Sequence, residues 1–132
     1  MGLIIDSDVF IMLEKEGVTP DFNQFRAYGD AFISAITASE LLVGVHRASG
    51  QSRKMKRAAF VEFVLNHFPA LPFTEATARV HAEIFADLQR KGRMIGAHDL
   101  IIASTALLND FPVLTHNRNE FERVPGLTVL GL

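Results

Sequence analysis

Met1-Gly2-Leu3-Ile4-Ile5-Asp6-Ser7-Asp8-Val9-Phe10 opens the chain, and its reading decides the fold. Leu3, Ile4 and Ile5 are three large aliphatic residues in a row. A strand covered on both faces is continuously apolar, whereas a half-exposed strand alternates. The run therefore predicts a short buried strand in a parallel sheet. It stops on Asp6, and a carboxylate at the end of a buried strand is costly unless something compensates it. In open α/β sheets ligands bind at the carboxyl ends of the strands. Asp6 is thus a candidate site residue, and its companions are to be sought at the other strand ends.

Outward from this stretch, Ser7 to Glu16 predicts a helix that Gly17 stops at the usual place for a C-cap glycine. Asp21 to Tyr28 predicts a second short helix after Pro20. Ala31 to Ile36 is rich in strand formers, and Thr37-Ala38-Ser39-Glu40 has the spacing of a capping box that opens the next helix. From Arg53 to Phe68 apolar residues recur at helical spacing opposite a basic face. Pro69 to Phe73 is short and extended. Thr74 caps a helix with the stripe Ala76, Val80, Ile84 and Leu88, and Gly92 ends it after Arg90 and Lys91, as the helix dipole prefers. Asp99 to Asn109 is apolar almost all round, which predicts a helix in the middle of the fold. Strands are expected at Phe111–Thr115 and Leu127–Leu130, with a helical turn from Asn117 to Phe121 between them. Alternating strands and helices argue for an α/β fold in three layers, α/β/α, around a central parallel sheet of four to five strands.

The length, 132 residues, suits a single domain over residues 1–132. With 48% hydrophobic and 21% charged residues the chain is not a disordered one. There is no Cys, which excludes disulfides, Cys-ligated zinc and thiol catalysis. No apolar run is long enough to cross a membrane, and the amino terminus lacks the pattern of a signal peptide, so a cytoplasmic protein is expected. The net charge of −2 announces no nucleic-acid binder. Its distribution is more informative: no acid lies between Glu40 and Glu62, and that stretch holds Arg47, Arg53, Lys54, Lys56 and Arg57. A local basic face is expected there, either a solvated helix surface or an RNA contact carried by Arg47, Arg53, Lys54 and Arg57.

Parallel βα units place every strand-to-helix junction on one edge of the sheet. The polar junctions are Asp6-Ser7-Asp8, Thr37 to Glu40, and Thr115-His116-Asn117 followed by Glu120. Asp99 opens a buried helix, where its carboxylate can face the same edge. Asp6, Glu40, Asp99 and Glu120 can therefore converge, and unpaired carboxylates in one small site repel each other. A divalent cation relieves the repulsion, and all-oxygen ligation suits a hard ion, Mg²⁺ or Mn²⁺. Such a site can activate water and stabilise phosphoryl oxygens. Each acid also has a purely structural reading. Asp6 has the residue type of an N-cap, Glu40 and Glu120 stand at N3 of capping boxes, and Asp99 can offset a helix dipole. His98 and His116 are singled out among the histidines because they adjoin these residues.

The residues resemble a PIN domain, specifically the VapC type of toxin ribonuclease, along the whole chain. The matching pieces are Leu3 to Asp8, Ser39 to Gly44, Gly96 to Ala106, Leu114 through Phe121, and Val124 to Leu127; residues 45–95 match only in helical character. The resemblance implies RNA cleavage with Mg²⁺ or Mn²⁺ held by Asp6, Glu40 and Asp99. Asp6 and Asp99 would be the principal ligands, and Glu40 would hold a second ion or orient water. Thr115 would fix a carboxylate from outside the ligand shell. Asn117 stands where many PIN domains carry Asp, and Glu120 is the nearby acid. Products would carry 5′-phosphate and 3′-hydroxyl ends. A homodimer is implied too, and Phe60, Phe63, Phe68 and Phe85 suggest more apolar area than one small core buries. So is inhibition by a small VapB-like antitoxin protein.

Two other readings compete. Ile4-Ile5-Asp6-Ser7-Asp8-Val9 also fits the nucleophile motif of haloacid-dehalogenase-like phosphatases, with Asp6 phosphorylated and Asp8 as acid and base. Leu114 to Asn117 supplies no acidic pair of the kind that family requires. The other is a non-catalytic RNA- or protein-binding module, against which the retained acids argue.

Overall fold

The computed structural model describes all of residues 1–132. Strand β1, Gly2–Ile5, is central to a five-stranded sheet, and every one of its large side chains is buried. It pairs in parallel with β2, Asp30–Ser34, on one side and with β4, Val113–Thr115, on the other. The short strand β3, Ala70–Leu71, pairs with β2, and β5, Val129–Gly131, pairs with β4, both in parallel. The order across the sheet is β3-β2-β1-β4-β5.

Alternation along the strands sorts the core into two halves. Leu3 and Ile5 of β1, Ile33 of β2 and Leu114 of β4 face one side. There they meet α1 (Ser7–Glu16), α2 (Ala35–Arg47) and α3 (Gln51–His67) through residues such as Phe10, Leu41 and Val64. Ile4 and Val113 face the other side, against α4 (Glu75–Lys91) and α5 (Ala97–Asn109) through Ile84, Leu88, Ile102 and Ala103. Helix α6, Arg118–Phe121, adds the buried Phe121 to that second half. The result is the three-layer α/β/α arrangement expected from the pattern. Each fully buried Leu, Ile or Phe contributes roughly 1.5–3 kcal/mol through the area it removes from water.

Boundaries differ from the sequence reading in instructive places. Residues 23–28 form a 3₁₀ helix, not an α-helix. Strand β2 ends at Ser34, whose hydroxyl accepts from the Ile36 N–H at 3.3 Å and caps α2. The expected capping box at Thr37–Glu40 is therefore not formed, and Glu40 lies in the second turn of α2. Ile36 and Thr37 are strand formers by type, but here they follow a capping serine and pack as helix. Thr77 takes the buried place on α4 expected of Ala76, while its hydroxyl completes a capping box with Thr74. Phe68, counted above toward a surplus of surface phenylalanines, belongs to the core with Phe10 and Phe22. Phe85 remains exposed.

Candidate active site

The strand order reverses between β1 and β4, which makes the carboxyl end of these two strands the switch point of the sheet. Asp6 follows β1 directly and is almost fully buried. It occupies the N-cap position of α1, yet its side chain caps nothing. Instead Asp6 Oδ2 accepts a 2.8 Å hydrogen bond from Thr115 Oγ1, at the end of β4. Thr115 Oγ1 in turn accepts from the Asn117 backbone N–H at 2.8 Å, so its single hydrogen is free to be directed at Asp6. Asp8 lies beside them: its Oδ1 accepts from the His116 N–H at 3.4 Å, and its Oδ2 lies 3.4 Å from Thr115 Oγ1.

Glu40 arrives from α2. Ser7 Oγ donates to Glu40 Oε1 at 3.1 Å and lies 3.4 Å from Asp6 Oδ1, so one buried hydroxyl stands between two acids. The other oxygen, Glu40 Oε2, is 3.2 Å from His98 Nδ1.

Asp99, in the first turn of α5, completes the group together with α6. Asn117 does not cap α6. Its amide nitrogen donates to Glu120 Oε2 at 3.0 Å and to Asp99 Oδ2 at 3.4 Å. The capping-box reading of Asn117 and Glu120 thus gives way to one in which an amide ties two carboxyls together.

The charge balance reflects the crowding. Asp6 is pushed from 3.8 up to about 7, first by burial and then by the Asp8 charge, against the opposing Thr115 hydrogen bond. Asp99 is pushed to about 8, by burial, by its hydrogen bond with Glu120 and by repulsion from Asp6, Glu120 and Glu40. Glu120 is lowered, chiefly by the bond from Asp99 and also by the Asn117 amide. The two carboxyls are thus pushed in opposite directions, Asp99 toward its neutral form and Glu120 toward its charged one. Four acids from four elements feel one another, and protons occupy the site where a cation would relieve the same repulsion.

The donors are hard oxygens, the set that Mg²⁺ and Mn²⁺ prefer. No three of the acids close into a ready cage. Mg²⁺ tolerates this because it keeps several waters and takes only one or two carboxylates directly. The residues therefore fit a hard divalent ion.

Beside the site, α1 and α3 enclose two adjoining cavities. One of about 250 Å³ is lined by Glu40, Ile11, Arg57 and Phe60; the next, about 670 Å³, continues past Arg57 and Phe60 to Val18 and Phe63. Of the basic residues expected to face RNA, Arg57 is committed within the fold. Its Nε bonds to Glu14 at 3.1 Å and a terminal nitrogen bonds to the Gly44 carbonyl at 3.2 Å. Arg53 and Arg47 are exposed, and Lys54 is half-buried.

Sequence reasoning missed Ser7, whose position beside Asp6 was the available signal. It also missed Arg123, which donates to the Met94 carbonyl at 3.0 Å, before α5, and draws Glu120 down; nothing in its spacing announced that.

Comparison with known proteins follows the same lines. The PIN domain family matches residues 3–127. Ribonuclease VapC1 of Rickettsia felis is 41% identical over 130 residues, covering 98% of this chain and 96% of that one. The tRNA(fMet)-specific endonuclease VapC of Shigella flexneri is 33% identical, over 96% of this chain and 95% of its own. Among solved structures, VapBC2 from Rickettsia felis bound to a DNA fragment from its promoter superposes with a TM-score of 0.87 at 25% identity, covering 100% and 99% of the two chains. DNA-bound VapBC from Salmonella typhimurium gives 0.86 at 28% identity, over 99% and 98%.

Proposed function

The chain belongs to the PIN-domain family, with VapC ribonucleases as its full-length relatives, and from that premise we propose that it is an endoribonuclease and the toxin of a type II toxin–antitoxin pair. The observation that carries this reading is the convergence of Asp6, Glu40, Asp99 and Glu120 at the switch point, with two of the carboxyls pushed toward neutrality. Asp6 and Asp99 would be the principal ligands of a Mg²⁺ or Mn²⁺ ion, with Glu40 and Glu120 as further acids. When bound, the ion supplies an activated water and a counter-charge for the phosphoryl oxygens. Thr115 holds Asp6 by its 2.8 Å hydrogen bond, and Asn117 holds Glu120 and Asp99. The hydrolysis would leave 5′-phosphate and 3′-hydroxyl ends.

The phosphatase alternative needs Asp8 free to act as acid and base. Here Asp8 Oδ1 accepts from the His116 N–H and Oδ2 lies against the Thr115 hydroxyl, which turns it toward β4.

An antitoxin of the VapB kind is the fitting partner, as in the related VapBC complexes. The cavities between α1 and α3 offer it half-buried Phe60 and exposed Ile11 and lead to Glu40. An Arg or Lys from the antitoxin would meet the carboxylates there, since a cation relieves their repulsion as a metal does. The chain would work as a homodimer. No helix is long and apolar enough to cross a membrane.

The test is direct. Asp6→Asn and Asp99→Asn should each abolish RNA cleavage with circular dichroism unchanged. Wild-type cleavage that persists in excess EDTA would overturn the metal-dependent reading.

A further inference from the structure

Glu40 differs from the other three acids in how it reaches the site. Asp6, Asp99 and Glu120 follow a strand or lie in a first helical turn, whereas Glu40 comes from the second turn of α2 on a long side chain. A glutamate so placed must be held if it is to meet a reacting group at a fixed distance, because its free rotamers scatter the carboxylate. Two groups contact it. Ser7 Oγ of α1 donates to Oε1 at 3.1 Å, and His98 Nδ1 of α5 lies 3.2 Å from Oε2. Each carboxylate oxygen thus has one partner, and the partners come from different helices.

We propose that His98 is a positioning residue that, with Ser7, braces Glu40 for the ribonuclease reaction. The inference rests on the ribonuclease reading and adds to it a residue outside the acidic group. Helix geometry lets α5 do this. Neighbouring residues on a helix point about 100° apart, so His98 and Asp99 can serve different partners from one turn. Asp99 accepts from the Asn117 amide that also holds Glu120, and His98 faces Glu40. The first turn of α5 therefore supplies one acid of the site and contacts another. The His98 side chain is 55% exposed and that of Glu40 28% exposed. A direct contact from His98 to the RNA is the competing role for a ring so exposed.

Four variants decide the matter: His98→Leu, His98→Asn, Glu40→Gln and the His98→Leu/Glu40→Gln double variant. Asn keeps an N–H donor near the place of Nδ1, and Leu keeps only bulk. For each, steady-state RNA cleavage gives kcat and KM, and calorimetry gives Mn²⁺ affinity. His98→Leu should lower kcat about tenfold, the lower range for partners that orient a metal-site ligand. It should leave the KM for RNA and the Tm near wild type, and Asn should recover most of the loss. In the Glu40→Gln background the same substitution should cost little more, in kcat and in Mn²⁺ affinity alike, because residues acting through one another are not additive. Additive losses in the double variant, a rise in KM alone, or failure of Asn to recover activity would overturn the proposal. If the wild type cuts no RNA, the ribonuclease reading itself fails. The Mn²⁺ cycle then still decides whether His98 acts through Glu40, with additivity counting against it.

Discussion

Thr115 and Asp6 show what a single pair of side chains sets in this protein. Threonine directs its hydroxyl at a buried carboxyl and favours its charged form, while burial first and the Asp8 charge second push toward the neutral one. The sign of the pH dependence follows. In the unfolded chain Asp6 and Asp99 titrate near 3.8, but in the folded, metal-free protein they titrate at about 7 and about 8. Between those limits the folded state binds more protons, so stability is fully present below the unfolded value and is lost as pH rises through 7 to 8. Denaturant melts in EDTA should show stability falling from pH 5 to pH 8. Asp6→Asn should flatten that fall and leave the metal-free protein equally stable or more stable near pH 8, by about 1 kcal/mol. A large loss of stability in the variant would mean that Asp6 is structural after all. Glu120 and Asn117 divide their work differently: one brings charge, the other only donors. Glu120→Gln should weaken Mn²⁺ binding more than Asn117→Ala does, by calorimetry, and the reverse order would exchange their roles.

Elements tell a second story, about what a sequence reveals before its fold is known. The Leu3-Ile4-Ile5-Asp6 stretch was legible because a doubly buried strand has no polar face and its terminal acid stands out. Helix α4 was legible at both ends from Thr74 and Gly92, and α1 at its carboxyl end from Gly17, residues whose backbone or side-chain chemistry marks a cap. The start of α2 was not, because two caps compete within four residues. Ser34 wins, since β2 must end in register with β3 at Ser34 and Leu71. The site was legible as acids at strand ends, but its bracing was not. His98 was singled out beside Asp99, but its contact with Glu40, like those of Ser7 with Glu40 and Arg123 with Met94, joins distant parts of the chain. Two substitutions test the assignment of α2. Ser34→Ala should cost about 1 kcal/mol through loss of the cap. Thr37→Val should be neutral or stabilising, because the buried Thr37 hydroxyl has no hydrogen-bond partner. A severe loss from Thr37→Val, with Ser34→Ala silent, would put the cap back at Thr37.

For the whole molecule, the useful division is between the sheet's carboxyl edge, which carries the acids, and the helical flank of α1 and α3, which carries the cavities. The two meet at Glu40. A protein seated on the flank can therefore reach the acids without unfolding anything, and two copies in a dimer would each present such a junction. Light scattering should give a dimer at high micromolar concentration, and an antitoxin added to it should block cleavage and lower Mn²⁺ affinity together. A monomer would contradict the dimer. An antitoxin that silences cleavage while Mn²⁺ still binds as before would show that it stops short of the acids.

The hydrogen bond from Thr115 to Asp6 joins residues 109 positions apart. Strand β1 thus has β2 as its only neighbour until β4, Val113–Thr115, has been made. Until then Asp6 has neither Thr115 nor the Asp99–Glu120 pair beside it. A chain cut short before β4 lacks Thr115, Asn117 and Glu120, and on the proposed reading of the acids it should neither bind Mn²⁺ nor cleave RNA.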